Sequence, residues 1–374
     1  MSSSLEGRID ISLVRHGDEA PEARIVSSRP QVAQRLMAGR TPAEAADLAG
    51  MLFTLCGRAQ RIAAEAACAA ALGESASTDT TLSRQRKILA EMAQEHAWRL
   101  LLDWPSRQGR AADPALLLAL RRAGDNALVL ADTLETVLAG PLLGEPVANW
   151  LARFSVEAAL PGFDAWANGR GTPTAALFDE LGQGADIGIS HVPLLPAVDG
   201  LHKNGIQWLA AQALETPAFC ARPEWPAADG QRRPAETGAL ARRQAHTPVR
   251  QWLAQRGRGV GARMLARLLE LALLPAWLRS AETTVLRAWT LPDQIGVAGV
   301  ETSRGLLLHL VRLVDGKVEQ YRIIAPTEWN FHPAGPLAEA LVSLPADAEL
   351  HAAARQIALS LDPCVDYGIT LEKP

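Results

Sequence analysis

Residues 305–324 leave the backbone little choice. The apolar run Leu306–Val314 and the run Lys317–Ile324 are separated only by Asp315-Gly316. Asp-Gly accepts the positive φ angles of a two-residue hairpin turn, and Leu, Val and Ile dominate the flanks, so an antiparallel hairpin is predicted. Ile9-Asp10-Ile11-Ser12-Leu13-Val14 alternates with period two and predicts a further strand. Elsewhere apolar residues recur at helical spacing: from Leu36 to Ala66, and near 82–104, 113–140, 144–160, 205–215 and 260–279, bounded by Pro, Gly or Asp. Thr41-Pro42-Ala43-Glu44 reads as an N-cap, a proline in the first helical position and an acidic first turn. The chain is helix-rich.

Size and composition narrow the function classes. At 374 residues, one large domain or two closely packed ones are both possible. Hydrophobic residues at 48% and charged residues at 21% are ordinary for a globular protein. A net charge of −4 argues against nucleic acid as a partner, which would need a basic face. The opening residues lack a charged and then apolar leader, and the longest apolar runs, Leu306–Leu308 and Leu268–Leu274, are too short to span a bilayer. No membrane association and a cytoplasmic location are expected. Residues 222–263 hold nine Arg against three acidic residues. They read as a solvated, flexible loop and helix, or as a partner-docking segment.

Four cysteines, Cys56, Cys68, Cys220 and Cys364, do not make a disulfide framework in a chain of this length. No CxxC or zinc-finger spacing is present, and a buried, inert thiol is the default for each. Near the N-terminus, Arg15-His16-Gly17 looks like the Arg-His-Gly motif of histidine phosphatases. That chemistry needs further cationic donors on the same phosphoryl group, and no other histidine has a recognisable context. A turn after the first strand explains the tripeptide.

Two cysteine segments carry more information together than apart. Leu55-Cys56-Gly57-Arg58-Ala59 stands before a helical run, and Asp362-Pro363-Cys364-Val365-Asp366-Tyr367 lies near the C-terminus. The pair resembles the R-x-C-G-x-C and D-P-C-x-x-C-x-x-H signatures of the nickel–iron hydrogenase large subunit. Further segments follow in the same order. Leu5-Glu6-Gly7 is similar to an opening I-E-G, and Arg29 through Pro42 to the approach to the first motif. Glu236-Thr237-Gly238-Ala239-Leu240-Ala241-Arg242 is similar to E-x-G-P-L-A-R, Glu301-Thr302-Ser303-Arg304-Gly305 to E-A-P-R-G, and Ala325–Asn330 to V-P-T-T-W-N. Residues 70–220 are much less recognisable.

The resemblance implies an α+β, helix-dominated fold: a bundle of long helices with a small β-rich layer, formed as one unit over residues 1–374. In the enzyme family four cysteines hold nickel and iron; here the second position of each motif is Ala59 or Tyr367, and the closing His is Thr370. Without those bridging thiolates a nickel–iron pair is hard to build, so no hydrogenase activity and no nickel are expected. The pattern is similar to the HupK/HoxV hydrogenase maturation proteins. What that implies is a scaffold for an iron unit with two cyanides and one carbonyl, Fe(CN)2(CO). Cys56 and Cys364 would be the metal ligands, and Glu6, Arg304, His309, Pro326 and Thr327 would surround the cofactor. Arg304 and Thr327 occupy positions that donate to cyanide, and Arg58 stands where it could lower a thiol pKa. The implied partners are a small HypC-type chaperone and the hydrogenase large subunit. A metal-free interaction protein with the large-subunit shape is the competing reading. The retained cysteines match nickel-terminal positions, so iron would sit displaced from its place in the enzyme.

Overall fold

The protein is described here by a computed structural model, covering residues 7–17, 19–53, 55–107, 113–154, 159–184, 186–226 and 230–372. Glu6 therefore lies outside the described residues, as do Asp18 and Thr54. The strands that position the site are β1 (Arg8–Val14), β2 (Glu22–Ser27), β3 (Leu286–Leu291), β4 (Ile295–Thr302), β5 (Gly305–Val314), β6 (Lys317–Ile324) and β7 (Asp366–Leu371). The helices are α1 (Pro42–Leu52), α2 (Gly57–Ala71), α3 (Thr78–Trp98), α4 (Val260–Ser280), α5 (Pro326–Asn330) and α6 (Leu350–Ser360). The architecture is helix-dominated α+β.

β5 and β6 form the hairpin that Asp-Gly dictates, with φ of 49° at Asp315 and 71° at Gly316. They belong to a four-stranded antiparallel sheet in the order β3-β4-β5-β6. The sequence did not reveal β4 because it is buried along nearly its whole length, which erases the alternation that marks a half-exposed strand.

The second sheet joins the two ends of the chain, in the order β2-β1-β7. β1 pairs antiparallel with β2, Ile9 opposite Ser27, and parallel with β7, Arg8 opposite Asp366. One end of β1 therefore fixes both the residues that leave β2, including Arg29, and those that enter β7, including Cys364.

α1 starts at the expected capping box. The Thr41 hydroxyl accepts from the Glu44 N–H at 3.4 Å, and the Glu44 carboxylate accepts from the Thr41 N–H at 2.8 Å, worth about 1 kcal/mol. α2 is mainly alanine on its buried faces and packs directly on the four-stranded sheet. At Gly296 a Cβ would lie 1.9 Å from the Ala67 carbonyl oxygen, so only glycine admits the helix at this depth. That close approach anchors the C-terminal turns of α2 on the sheet; Cys56 sits at the other end of the same helix.

Several helices expected as single runs are divided. The 113–140 stretch forms Pro114–Ala123 and Ala127–Val137, interrupted at Gly124 with φ 60°. The 144–160 stretch becomes Val147–Ala152 and Ala159–Asn168. α3 continues past Trp98 as a wider π turn, Arg99–Asp103, which turns Arg99 inward. The Arg-rich zone is not a solvated surface throughout. Arg263 pairs with Glu236 at 2.8 Å, Arg242 with Glu270 and Glu301 at 2.6 Å each, and Arg256 with Asp164 at 2.7 Å. Arginines there hold the interior together, while Arg222, Arg232, Arg233 and Arg250 remain exposed. Among the described residues no helix is long and apolar enough to cross a membrane.

Candidate metal centre

Cys56 is the N-cap residue of α2. Gln60, one turn further on, donates its amide N–H to Cys56 Sγ at 3.6 Å. The Gln60 amide oxygen receives His309 Nε2 at 2.8 Å, and His309 Nδ1 meets the Tyr321 hydroxyl at 2.6 Å. The donors follow from this order. Gln60 accepts from His309, so Nε2 carries the ring proton and Tyr321 donates to Nδ1. Burial lowers the His309 pKa to about 3, which keeps the ring neutral. A chain of neutral hydrogen bonds thus runs from Tyr321 to the sulfur.

Glu91 of α3 accepts the backbone N–H groups of Arg58 at 3.0 Å and Ala59 at 3.3 Å, capping the start of α2. Burial raises its pKa to about 7. The Cys56 thiol is pushed up to about 12, first by burial and then by Glu91 and Cys364, against the opposing pull of Arg304 and the Gln60 amide. Arg58, expected to activate this thiol, instead pairs with Asp125 at 2.7 Å and donates to Gln94. The cations that act on Cys56 come from distant segments, Arg304 and Arg29.

Cys364 lies between α6 and β7, beside α5. The Thr327 hydroxyl donates to Cys364 Sγ at 3.0 Å and accepts from the Cys364 N–H at 3.4 Å. Two residues earlier, Asp362 has φ 59° and is buried. It gathers Arg99 at 2.6 Å, Arg267 at 2.7 Å and Arg304 at 3.4 Å. Burial opposes its charge, but the three guanidiniums outweigh that and hold its pKa below the usual carboxylate range. Asn330 ties the neighbouring segments: it accepts from the Thr237 N–H at 3.0 Å and donates to the carbonyls of Thr237, Arg304 and Leu361. Segments far apart in sequence are thereby knotted beside Cys364.

Cys56 and Cys364 line one cleft of about 310 Å³, with Arg29, Pro30, Val32, Met51, Leu52, Phe53, Leu55 and Val365. Arg304, at the β4–β5 turn, also bonds Glu95 at 2.8 Å and interacts electrostatically with both sulfurs. Arg29 interacts with both as well. Ala59 is buried in α2 and Tyr367 lies in β7 opposite Ile9; neither lines the cleft. Pro326 is buried as the first residue of α5, and His309 reaches the Cys56 sulfur through Gln60. His16 is exposed, and Arg15 donates to the carbonyls of Pro345, Ala346 and Ala348, so the phosphatase-like tripeptide assembles no site. Cys68 and Cys220 are buried away from the cleft.

Sequence reading missed Arg29, Gln60, Glu91 and, of the three arginines around Asp362, Arg99 and Arg267; Arg304 it named. The i, i+4 spacing of Cys56 and Gln60 was the one available local signal.

Among the described residues no group of three His, Cys, Asp or Glu could hold a metal ion. Two soft sulfurs suit an iron that brings most of its own ligands, and suit a bare hard cation poorly.

Fold and cleft define the class: a nickel-dependent hydrogenase large-subunit fold in which two thiols face a common cleft. A profile of the nickel-dependent hydrogenase family matches residues 245–369. The NiFeSe hydrogenase of Desulfomicrobium baculatum superposes with a TM-score of 0.55 at 17% identity, covering 94% of this chain and 95% of that one, which establishes shared fold. The hydrogenase expression/formation protein HupK of Rhizobium leguminosarum bv. viciae is 32% identical over 98% of this chain and 97% of its own. HoxV of Cupriavidus necator is 34% identical over 92% of each. The chain belongs to the HupK/HoxV family of hydrogenase expression/formation proteins.

Proposed function

We propose that the protein is a maturation scaffold that holds an Fe(CN)2(CO) unit between Cys56 and Cys364 and passes it to the nickel–iron hydrogenase large subunit. The observation that carries this reading is the meeting of two sulfurs, 308 positions apart in sequence (364 − 56), on one cleft. Iron with three diatomic ligands is the cargo, and the chain supplies thiolates and cationic N–H donors. Cyanide nitrogens are anionic acceptors that are costly to bury unpaired, and Arg304 stands beside both sulfurs. Thr327 already donates to Cys364 Sγ, so its role here is to orient that sulfur. The raised Cys56 pKa means that binding releases a proton, and holding the cargo becomes more favourable as pH rises.

No hydrogen turnover is part of the proposal, because Ala59 and Tyr367 supply no bridging thiolate. The partners are a HypC-type chaperone that delivers the unit and the large subunit that receives it, in the cytoplasm. The test is infrared spectroscopy of protein purified anaerobically from cells with active maturation. Cyanide and carbonyl bands are expected, lost in Cys56→Ala or Cys364→Ala and retained in Cys68→Ala and Cys220→Ala. Absence of bands from intact, reduced protein, or normal maturation with the Cys56/Cys364 double variant, would favour a metal-free interaction platform.

A further inference from the structure

Arg29 is built into the cleft wall. Its backbone is registered by the N-terminal sheet: the Ser28 N–H donates to the Arg8 carbonyl at 2.9 Å, and the Arg29 N–H donates to Ser27 Oγ at 3.3 Å. The neighbouring Gly7 has φ 73°, and a Cβ there would fall 2.7 Å from Arg29 Cα. The side chain is 11% exposed, and its guanidinium donates from Nη1 to Glu328 Oε1 at 2.8 Å. Glu328 Oε2 is buried without a partner, so the pair is made through a single carboxylate oxygen. A guanidinium carries five N–H donors in a planar fork. One binds the wall, and the group still lines the cleft beside both cysteines.

The two arginines that act on the sulfurs are not equivalent: Arg29 lines the cleft and Arg304 does not. Arg304 is enclosed by the carboxylates of Asp362 and Glu95. Among the described residues, Arg29 pairs with one carboxylate, Glu328. Arg29 is therefore the cation with more capacity for an incoming negative group.

We propose that Arg29 makes the cysteine cleft select anionic ligands, its guanidinium receiving the negative end of a small ligand whose soft centre the two sulfurs hold. In naming metal-bound cyanide as that negative end, the inference rests on the scaffold reading above. Charge selection itself is a property of the metal-free protein and is tested there.

The test compares iodoacetate with iodoacetamide as probes of Cys56 and Cys364, with modification at each cysteine read by peptide mass spectrometry. In both reactions the thiolate forms a C–S bond and iodide leaves. The thiolate fraction therefore cancels in the ratio of rates, and the ratio reports attraction of the carboxylate probe. Arg29→Met is expected to lower the iodoacetate-to-iodoacetamide ratio about fivefold, with Arg29→Lys restoring most of it. Raising the salt concentration should lower the wild-type ratio, which gives a reading even if Arg29→Met does not fold. An unchanged ratio in the folded Met variant, or a wild-type ratio indifferent to salt, overturns the proposal. Where wild-type protein carries infrared bands, Arg29→Met should shift the cyanide bands more than the carbonyl band; equal shifts would overturn cyanide as the ligand. Absence of bands from wild type would remove the scaffold reading and the cyanide assignment with it, while the alkylation ratio would still decide charge selection.

Discussion

The two cysteine segments are held by opposite kinds of chemistry. Cys56 stands at the head of a rigid alanine-rich helix and is reached by the neutral chain Tyr321–His309–Gln60. Cys364 lies in a loop and is reached by the Thr327 hydroxyl, behind which Asp362 draws in three arginines. A helix N-terminus already has a direction fixed by packing, so modest hydrogen bonds suffice to aim its sulfur. A loop has no such direction, and here buried charge supplies it. The neutral and charged halves meet at Arg304, which acts on both sulfurs.

The charged half should be the more fragile. Asp362→Asn would leave Arg99, Arg267 and Arg304 buried without their shared carboxylate and is expected to lower stability by about 3–5 kcal/mol. Urea unfolding measures this, and a loss below 1 kcal/mol would show that the knot is not what fixes the Cys364 loop.

The neutral half should reveal itself through pH. With the Cys56 pKa raised from 9.0 to about 12, its thiolate fraction near neutrality is roughly a thousandth of that of an ordinary thiol. The sign is definite: protonation persists as pH rises through 9 and is lost only toward 12. Iodoacetamide labelling of Cys56 should therefore keep climbing about tenfold per pH unit past 9, and a plateau there would break the contrast. The linked contribution to stability is present below the unfolded-state value and declines as pH rises from 9 toward 12.

Smaller effects sharpen the same comparison. His309→Leu strands the Gln60 amide oxygen and the Tyr321 hydroxyl and is expected to cost about 2 kcal/mol in denaturant unfolding. Thr327→Val removes one bond to sulfur and should cost about 1 kcal/mol or less. If the Thr327 variant proved as damaging as Asp362→Asn, the loop would be held by the hydroxyl instead of by the arginines.

Much of the scaffold was legible because it is local. Asp315-Gly316 demands a hairpin turn, Thr41 and Glu44 cap a helix, and helical spacing before Ala66 announces α2. The divided helices were less legible, since Gly124 interrupts a periodicity that continues on both sides. β4 was hidden because full burial leaves no alternation to read. In the Arg-rich zone composition misled: Arg242 and Arg263 lie in the interior because Glu270, Glu301 and Glu236 come to meet them from other segments.

The sequence by itself determined that Cys56 would start a helix and that Cys364 would follow Asp-Pro near the end of the chain. Their physical surroundings could not join them; only the ordered resemblance did. The tertiary structure decided the meeting, because one end of β1 pairs with both β2 and β7 and Gly296 lets α2 sink onto the sheet. It also decided which cations face the sulfurs, replacing the adjacent Arg58 with the distant Arg304 and Arg29. Backbone preferences act over a few residues and can be read along the chain. Charge pairing and burial act across space, and their partners exist only once the chain has folded.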